Sequence, residues 1–392
     1  DLRLDGGFDA IRYRVNPGRQ EPLDPEQSQI SVQELTDDEA FEGALFANAE
    51  YEFTSALQLS AGIRYNLYRY LGPKTVFEYA NPDRPEIGEE TGVTEFGAGE
   101  TIATYTTLEP RVSMRYRFNS RTSVKGGYSR TSQFINQIFN TATPTPTSQW
   151  QLSTQHIEPV RSHNYTIGLF RNFDDNVWET SLEVYYRNID QTFDYKDFAA
   201  LNVNDQLETQ LLEGEGRAYG VELSIKKRQG LFNGWLSYTY SRSERLIEGI
   251  NLGEYYPSNF DIPQNLSLVF NYQPNQRNTF TLNFNFSRGR PTTFPFGNFE
   301  DRSGLVIPIY SQRNQLRIPN YHRMDIAYTL GQGYNKTKKI KTSWTFSIYN
   351  LYGRKNAFSV FYSQAPFQGV QANQLAILGS VFPSVRMNIE FL

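Results

Sequence analysis

The chain has no cysteine, only three histidines and three methionines, and no apolar run long enough to make a membrane helix. Without cysteine there can be neither a disulfide framework nor a thiolate metal site. A helix needs about 20 consecutive apolar residues to cross hydrocarbon, so a helical membrane protein is excluded. Charge is almost balanced, at −4 over 392 residues, which leaves no electrostatic footprint for a nucleic acid. Catalytic patterns are missing as well: there is no nucleophile elbow, phosphate-cradling loop or histidine–carboxylate zinc motif. His156 and His163 stand near one long connection without carboxylates at metal spacing, and they and His322 read as polar loop or girdle residues. Gly214-Glu215-Gly216-Arg217-Ala218-Tyr219-Gly220 imitates a nucleotide-binding glycine run, but an alternating strand follows it rather than a helix. Its glycines read instead as a loop-to-strand entry, or as room for a group to pack closely on the strand. We expect no catalysis, no cofactor and no metal.

What the chain has in excess is aromatic residues, 15% with 26 Tyr and 28 Phe, and a repeat of about ten residues in which every second side chain is apolar. Phe280, Leu282, Phe284 and Phe286 fall on one face of an extended segment; Thr281, Asn283, Asn285 and Ser287 fall on the other. Val112, Met114, Tyr116 and Phe118 oppose Arg111, Ser113, Arg115 and Arg117 in the same way. Trp178, Leu182, Val184 and Tyr186 oppose Glu179, Glu183 and Arg187, and Tyr219, Val221, Leu223 and Ile225 oppose Glu222 and Lys226. The alternation predicts about fourteen strands, near 5–15, 41–52, 57–70, 104–118, 122–131, 163–172, 177–189, 216–228, 231–243, 263–272, 277–288, 321–330, 341–350 and 383–392.

One such strand describes any half-buried sheet; the connections are more telling. Tight turns at 119–121, 173–176, 229–230 and 274–276 alternate with long links at 72–103, 132–162, 190–215, 244–262, 289–320 and 351–382. The softest case is 331–340. A soluble sandwich has no reason to put every long link at one end, whereas a transmembrane antiparallel β-barrel does. The fold class is therefore all-β, a membrane barrel whose wettable faces line a lumen. A mean hydropathy of −0.57 agrees, because half of each strand and all the outer loops meet water. The expected compartment is the outer membrane of a Gram-negative bacterium, with outer-membrane lipid around the wall and the long links outside. Export requires a leader, and Asp1-Leu2-Arg3-Leu4-Asp5 is not one, so the sequence reads as a processed or partial form.

Several segments resemble the barrel of TonB-dependent outer-membrane receptors, especially the Bacteroidota type. They are Leu108-Glu109-Pro110-Arg111-Val112-Ser113-Met114-Arg115-Tyr116, Gly214 to Leu223, Tyr321-His322-Arg323-Met324-Asp325-Ile326, and Phe346-Ser347-Ile348-Tyr349-Asn350-Leu351-Tyr352-Gly353-Arg354-Lys355-Asn356. Pro383-Ser384-Val385-Arg386-Met387-Asn388-Ile389-Glu390-Phe391 is similar to the closing strand, although Leu392 follows where the family ends on an aromatic. The resemblance implies a barrel of roughly 22 strands, of which this chain is the C-terminal portion, with the plug domain and the TonB-binding box not in this chain. Fourteen strands left open would bare two edges in the bilayer, so either more strands complete the wall or the fourteen close on themselves. The resemblance favours the first.

It also implies active import: a scarce solute (siderophore, cobalamin, glycan or peptide) binds outside and passes a plug moved through TonB. A surface lipoprotein is a further partner that the resemblance admits. Rival readings are a scaffold barrel in a larger assembly and a plugless fourteen-strand diffusion channel. For solute capture, the loop aromatics Trp150, Tyr255, Tyr256, Phe294, Phe296 and Tyr310 are the expected residues, with packing of the loops as their alternative role. For holding a plug, the lumen-facing Arg111, Arg115, Arg117, Glu179, Glu183, Arg187 and Glu222 are expected. The carboxylate-rich segment 83–100 reads as a solvated, mobile loop.

Overall fold

The computed structural model describes residues 1–24, 31–138, 149–201, 203–300, 302, 306–331, 340–363 and 371–391. Leu392, most of the 331–340 link and the middle of the 132–162 link lie outside the described residues. Fourteen long strands form one antiparallel sheet in strict sequence order. They are β1 (Leu2–Val15), β2 (Asp38–Glu52), β3 (Leu57–Leu71), β4 (Thr101–Asn119), β5 (Thr122–Gln133), β6 (Val160–Phe173) and β7 (Trp178–Tyr195). The second half comprises β8 (Leu211–Lys227), β9 (Phe232–Ile247), β10 (Gln264–Asn275), β11 (Asn278–Ser287), β12 (Tyr321–Leu330), β13 (Ile340–Tyr349) and β14 (Phe382–Phe391). All fourteen expected strands are present, the largest extensions being at the tops of β7 and β8.

Among the described residues β1 pairs only with β2 and β14 only with β13, so the sheet is not closed. A backbone group left unpaired in hydrocarbon costs several kcal/mol, so both edges need partners in a membrane.

The two faces follow the alternation. Leu45, Ile63, Val112, Ile167, Leu182 and Val184 project outward and are exposed, as lipid contacts must be when the bilayer is not counted. Two aromatic girdles bound this apolar band. The lower one is a chain of touching rings: Phe232 to Tyr272 at 4.8 Å, Tyr272 to Phe280 at 6.1 Å and Phe280 to Tyr328 at 4.9 Å. The upper one runs through Tyr128, Tyr165, Tyr186 and Tyr219, which are register partners on neighbouring strands.

Strand length divides the wall. A tilted membrane strand needs about 9–11 residues; β11 to β14 have ten each, whereas β4 has 19 and β7 has 18. The excess of the longer strands rises above the upper girdle and carries a canopy of links. These links hold paired segments of their own: Lys74–Tyr79 with Glu90–Phe96, Ile135–Ile138 with Gln149–Leu152, Pro295–Glu300 with Val306–Tyr310, and Ala357–Ser363 with Gln371–Ala376. The segment 83–100 expected as mobile loop is thus partly one arm of a hairpin, anchored by buried Val76 and Tyr79 on the other arm. The buried apolar clusters lie in the canopy: Ala40, Tyr68, Tyr70, Phe134 and Leu152; Ile138, Ile157, Phe193, Tyr195 and Leu211; Ile247, Ile250 and Tyr256.

Candidate functional site

Inward parity carries Asp38, Tyr68 and Tyr70 to the mouth of the lumen, at the tops of β2 and β3. The Tyr68 ring stacks on Phe134 at 4.7 Å and its hydroxyl donates to the Ser153 carbonyl at 2.9 Å. Tyr105 on β4 donates likewise to the Thr154 carbonyl at 2.6 Å. Two wall strands, β3 and β4, thereby clamp the 132–162 link. Beside them opens a cavity of about 660 Å³, lined by the link after β1 and by the β3–β4, β5–β6 and β7–β8 links. Tyr70, Lys74 and Asp38 form part of its floor and Trp150, Asp205 and Glu208 part of its sides.

The polar groups there are mostly engaged with one another. Tyr70 Oη and Lys74 Nζ both donate to Asp38 Oδ1, at 2.6 and 2.7 Å. Glu208 accepts from the Tyr79 hydroxyl at 2.9 Å, and burial raises its pKa. Trp150 remains 50% exposed, an indole presented to the cavity on the end of a hairpin. The volume falls in the range of sites that engulf a small molecule.

The other side of the canopy is locked. The Asp194 carboxylate, 3% exposed, receives Arg313 at 2.9 Å, the Tyr256 hydroxyl at 2.8 Å and Arg245 at 3.3 Å. Arg313 also donates to Asp197 at 2.7 Å, and its backbone exchanges hydrogen bonds with the Asn251 side chain at 2.7 and 2.9 Å. Burial, and the carboxylate beside it, push the Tyr256 hydroxyl far above its ordinary range, so it stays a donor. A second buried carboxylate, Asp261, accepts the Ser243 amide at 2.8 Å and pairs with Arg317. The links 196–210, 248–263 and 288–320 are thus tied to each other and to β9.

The six aromatics expected to capture a solute are not brought together. Trp150 lines the cavity. Tyr256 is 2% exposed, and its hydroxyl donates to the Asp194 carboxylate. Tyr255 lies under the Arg217 guanidinium at 3.7 Å. Phe294 meets Tyr362 edge-on at 4.9 Å, Tyr310 sits 6.2 Å from Phe198, and Phe296 is 62% exposed. For three of them, packing between links is the role on view. The histidines hold polar positions: His163 meets the Tyr128 hydroxyl at 2.9 Å, His156 the Phe77 carbonyl at 2.8 Å, and His322 the Tyr352 hydroxyl at 2.7 Å.

The expected lumen charges do share the inner face. Arg111 approaches Glu109 at 3.5 Å, Glu179 pairs with Arg228, and Arg187 donates to Asn164. Arg115, Arg117, Glu183 and Glu222 have no ion-pair partner among the described residues.

Sequence reasoning missed Asp194, Arg313 and Asp261, isolated polar residues in links with no periodicity to mark them. It also left the family segments without a physical role, which the geometry supplies. Pro110 has no N–H, so the β4–β5 ladder begins only at Arg111 opposite Ser129, and the Glu109 carboxylate accepts the orphaned Ser132 amide at 2.7 Å. Asp325 accepts the Asn350 amide at 2.9 Å just above the first β12–β13 pair, Ile326 with Ile348. Asn356 holds both backbone groups of His322, at 3.1 and 3.0 Å. At Gly220 a Cβ would stand 2.8 Å from the Tyr185 hydroxyl on the neighbouring strand, so the glycine makes room for that ring.

A family model described as "TonB dependent receptor-like, beta-barrel" matches residues 1–351. No curated protein matches the chain. Among solved structures it is similar to the FrpB iron transporter from Neisseria meningitidis (F5-1 variant, apoprotein form), at 12% identity and a TM-score of 0.58, covering 99% of this chain and 54% of that one. It is similar to the ferric-catecholate import receptor Fiu from E. coli K12, at 12% identity and TM-score 0.55, covering 100% and 52%. A third is the ferripyoverdine receptor of the Pseudomonas aeruginosa outer membrane, at 14% identity and TM-score 0.53, covering 93% and 40%. At such identity the likeness is one of fold, and the chain spans about half the length of these structures or less.

Proposed function

Since the chain belongs to the TonB-dependent receptor-like β-barrel family, we propose that it forms the outer canopy and much of the wall of an outer-membrane importer driven through TonB. In this reading it is the C-terminal portion of a larger barrel of the Bacteroidota type, and a plug from outside these residues fills the lumen. The observation that carries it is the 660 Å³ cavity at the lumen mouth, walled by links and presenting Trp150 above the inward ends of β2 and β3. A solute held there lies on the path into the barrel. The engaged charges of Asp38 and Lys74 suit a solute that is polar and near-neutral where it touches them, with a flat or apolar edge for the indole.

Solved structures of this fold are named for iron and ferric-siderophore transport, which makes ferric siderophores the first class to test. Cobalamin, glycans and peptides come next. That β1 and β14 each have one unpaired edge among the described residues counts against a self-closed fourteen-strand channel. Deletion of the full-length gene is expected to abolish uptake of one solute class, and restoring it with Trp150→Ala should recover uptake only at higher solute concentration. Unchanged uptake of every class after deletion would sink the import reading and favour a scaffold barrel.

A further inference from the structure

We infer that the lipid face carries a site for an anionic phospholipid of the periplasmic leaflet, made by Arg171 and Lys227 over Phe173 and Trp178. It goes beyond the import reading and needs only a barrel standing in a membrane. Alternation gives every wall residue a face, and register carries that assignment from strand to strand. Phe173 opposes Trp178, and Trp178 opposes Lys227, in the row beside the short turns. Two residues further along each strand, Thr122, Arg171, Thr180 and Ile225 form a second row on the same side. Leu169, Leu182 and Leu223 form the third, with Leu169 and Leu182 exposed on the lipid face. Arg171 and Lys227 therefore face lipid. Among the described residues, no other charged side chain is turned that way in the half of any wall strand nearer the short turns.

Neither cation has an ion-pair partner among the described residues. The Arg171 guanidinium lies over the Phe173 ring at 4.9 Å, and Lys227 Nζ lies over the Trp178 ring at 5.4 Å. Arg171 thus reaches from the second row toward the headgroups, with its stem on apolar surface. The acids close by are committed elsewhere. Glu179 is on the lumen side and pairs with Arg228, and Asp175 pairs with Arg121 at 2.6 Å. Asp174, in the turn, makes no ion pair with either cation.

What could answer two unpaired cations here is narrowly defined. They stand on β6 and β8, two strand spacings or about 10 Å apart, with the two rings between them. The occupant must offer negative charge at headgroup level and hydrocarbon along Leu169, Leu182 and Leu223. A phospholipid does both: its phosphodiester meets the cations while its acyl chains cover the leucines. A zwitterionic headgroup would bring its own ammonium against Arg171 and Lys227, so the fitting lipid carries net negative charge. Phosphatidylglycerol is the simplest lipid of that kind.

The test uses the full-length receptor, delipidated in detergent and titrated with phosphatidylglycerol or, separately, phosphatidylcholine. Native mass spectrometry should find one phosphatidylglycerol tightly retained and no phosphatidylcholine held comparably. Arg171→Gln with Lys227→Gln should weaken that retention roughly thirtyfold, about fivefold for each cation. The control pair Lys226→Gln with Arg277→Gln removes the same charge from the same rim but off the lipid face, and should leave retention unchanged. Should the first pair misassemble, Lys227→Gln alone supplies the milder variant and should weaken retention about fivefold. Equal retention of the two lipids, an equal loss in both pairs, or displacement of the lipid by inorganic phosphate alone overturns the site. Solute uptake is read separately, so failure of the lipid site leaves the import reading standing.

Discussion

Wall and canopy obey opposite rules. In the wall, apolar side chains such as Leu182 and Val184 stand exposed while charges face a wet lumen, and backbone ladders supply the cohesion. In the canopy, apolar side chains and even the Asp194–Arg313 pair are buried. The membrane explains the inversion. Lipid replaces a hydrophobic core for the strands, so they need only satisfy hydrogen bonds and keep charge inward. The links meet water on most sides and must build a core of their own. Buried ion pairs there have little solvent competing with them, which makes them costly to break on one side only.

The largest effect is expected from Arg313→Met, which strikes the canopy and spares the wall. Asp194 keeps Arg245 and Tyr256 but loses its nearest cation, and removing one partner of a buried pair costs about 3–5 kcal/mol. Limited proteolysis should cut the links 196–210 and 288–320 early, while the heat-modified gel mobility of the folded barrel stays as before. Simultaneous loss of the barrel would show that wall and canopy are one cooperative unit.

Next in size is Leu182→Arg, in the middle of the lipid face. A midplane Arg costs about 2–4 kcal/mol, read as a lowered urea midpoint for folding into vesicles. Ser181→Arg, one residue away on the lumen side, should cost far less. Equal losses would mean that the two faces have been assigned wrongly.

Trp150→Ala sharpens the canopy side. Loss of one large aromatic contact should weaken solute affinity roughly tenfold, a little over 1 kcal/mol, with stability unchanged. Calorimetry on the full-length receptor would measure it, and an unaltered affinity would remove Trp150 from the site.

The smallest expected effect is one of pH. Burial of its carboxyl, and then the nearby Glu158, push the Glu213 pKa from 4.5 to about 7, although part of the residue remains open to solvent. An acid whose folded pKa is raised favours the folded state while protonated. Its contribution is therefore complete below about pH 4.5 and lost as pH rises through about 7. Canopy protection against protease should fall modestly across that window, and Glu213→Gln should flatten the dependence. A slope that survives the substitution would belong to another group.

Much of the wall was legible because its period is two and each strand repeats it. Val112 to Phe118 and Phe280 to Phe286 announce both strand and face, since a one-residue slip would send every charge into lipid. The tops of the strands were less so. Residues 190–195 and 211–215 read as link, because above the girdle no lipid enforces alternation, yet they pair as strand. Trp150 was identifiable as a loop aromatic, but nothing in its neighbourhood separated it from Tyr256, which the fold buries. Asp194 and Arg313 lie 119 residues apart and carry no local pattern, so their contact exists only once the 288–320 link has folded over the top of β7.

Strand count, facing and the end from which long links emerge can all be read along the chain, residue by residue. Each of these follows from local alternation and turn chemistry acting against a two-sided environment. Which link residues form a core and which line a cavity follow only from the assembled fold. Those outcomes depend on register between strands far apart in the chain, and register is set by the assembled sheet.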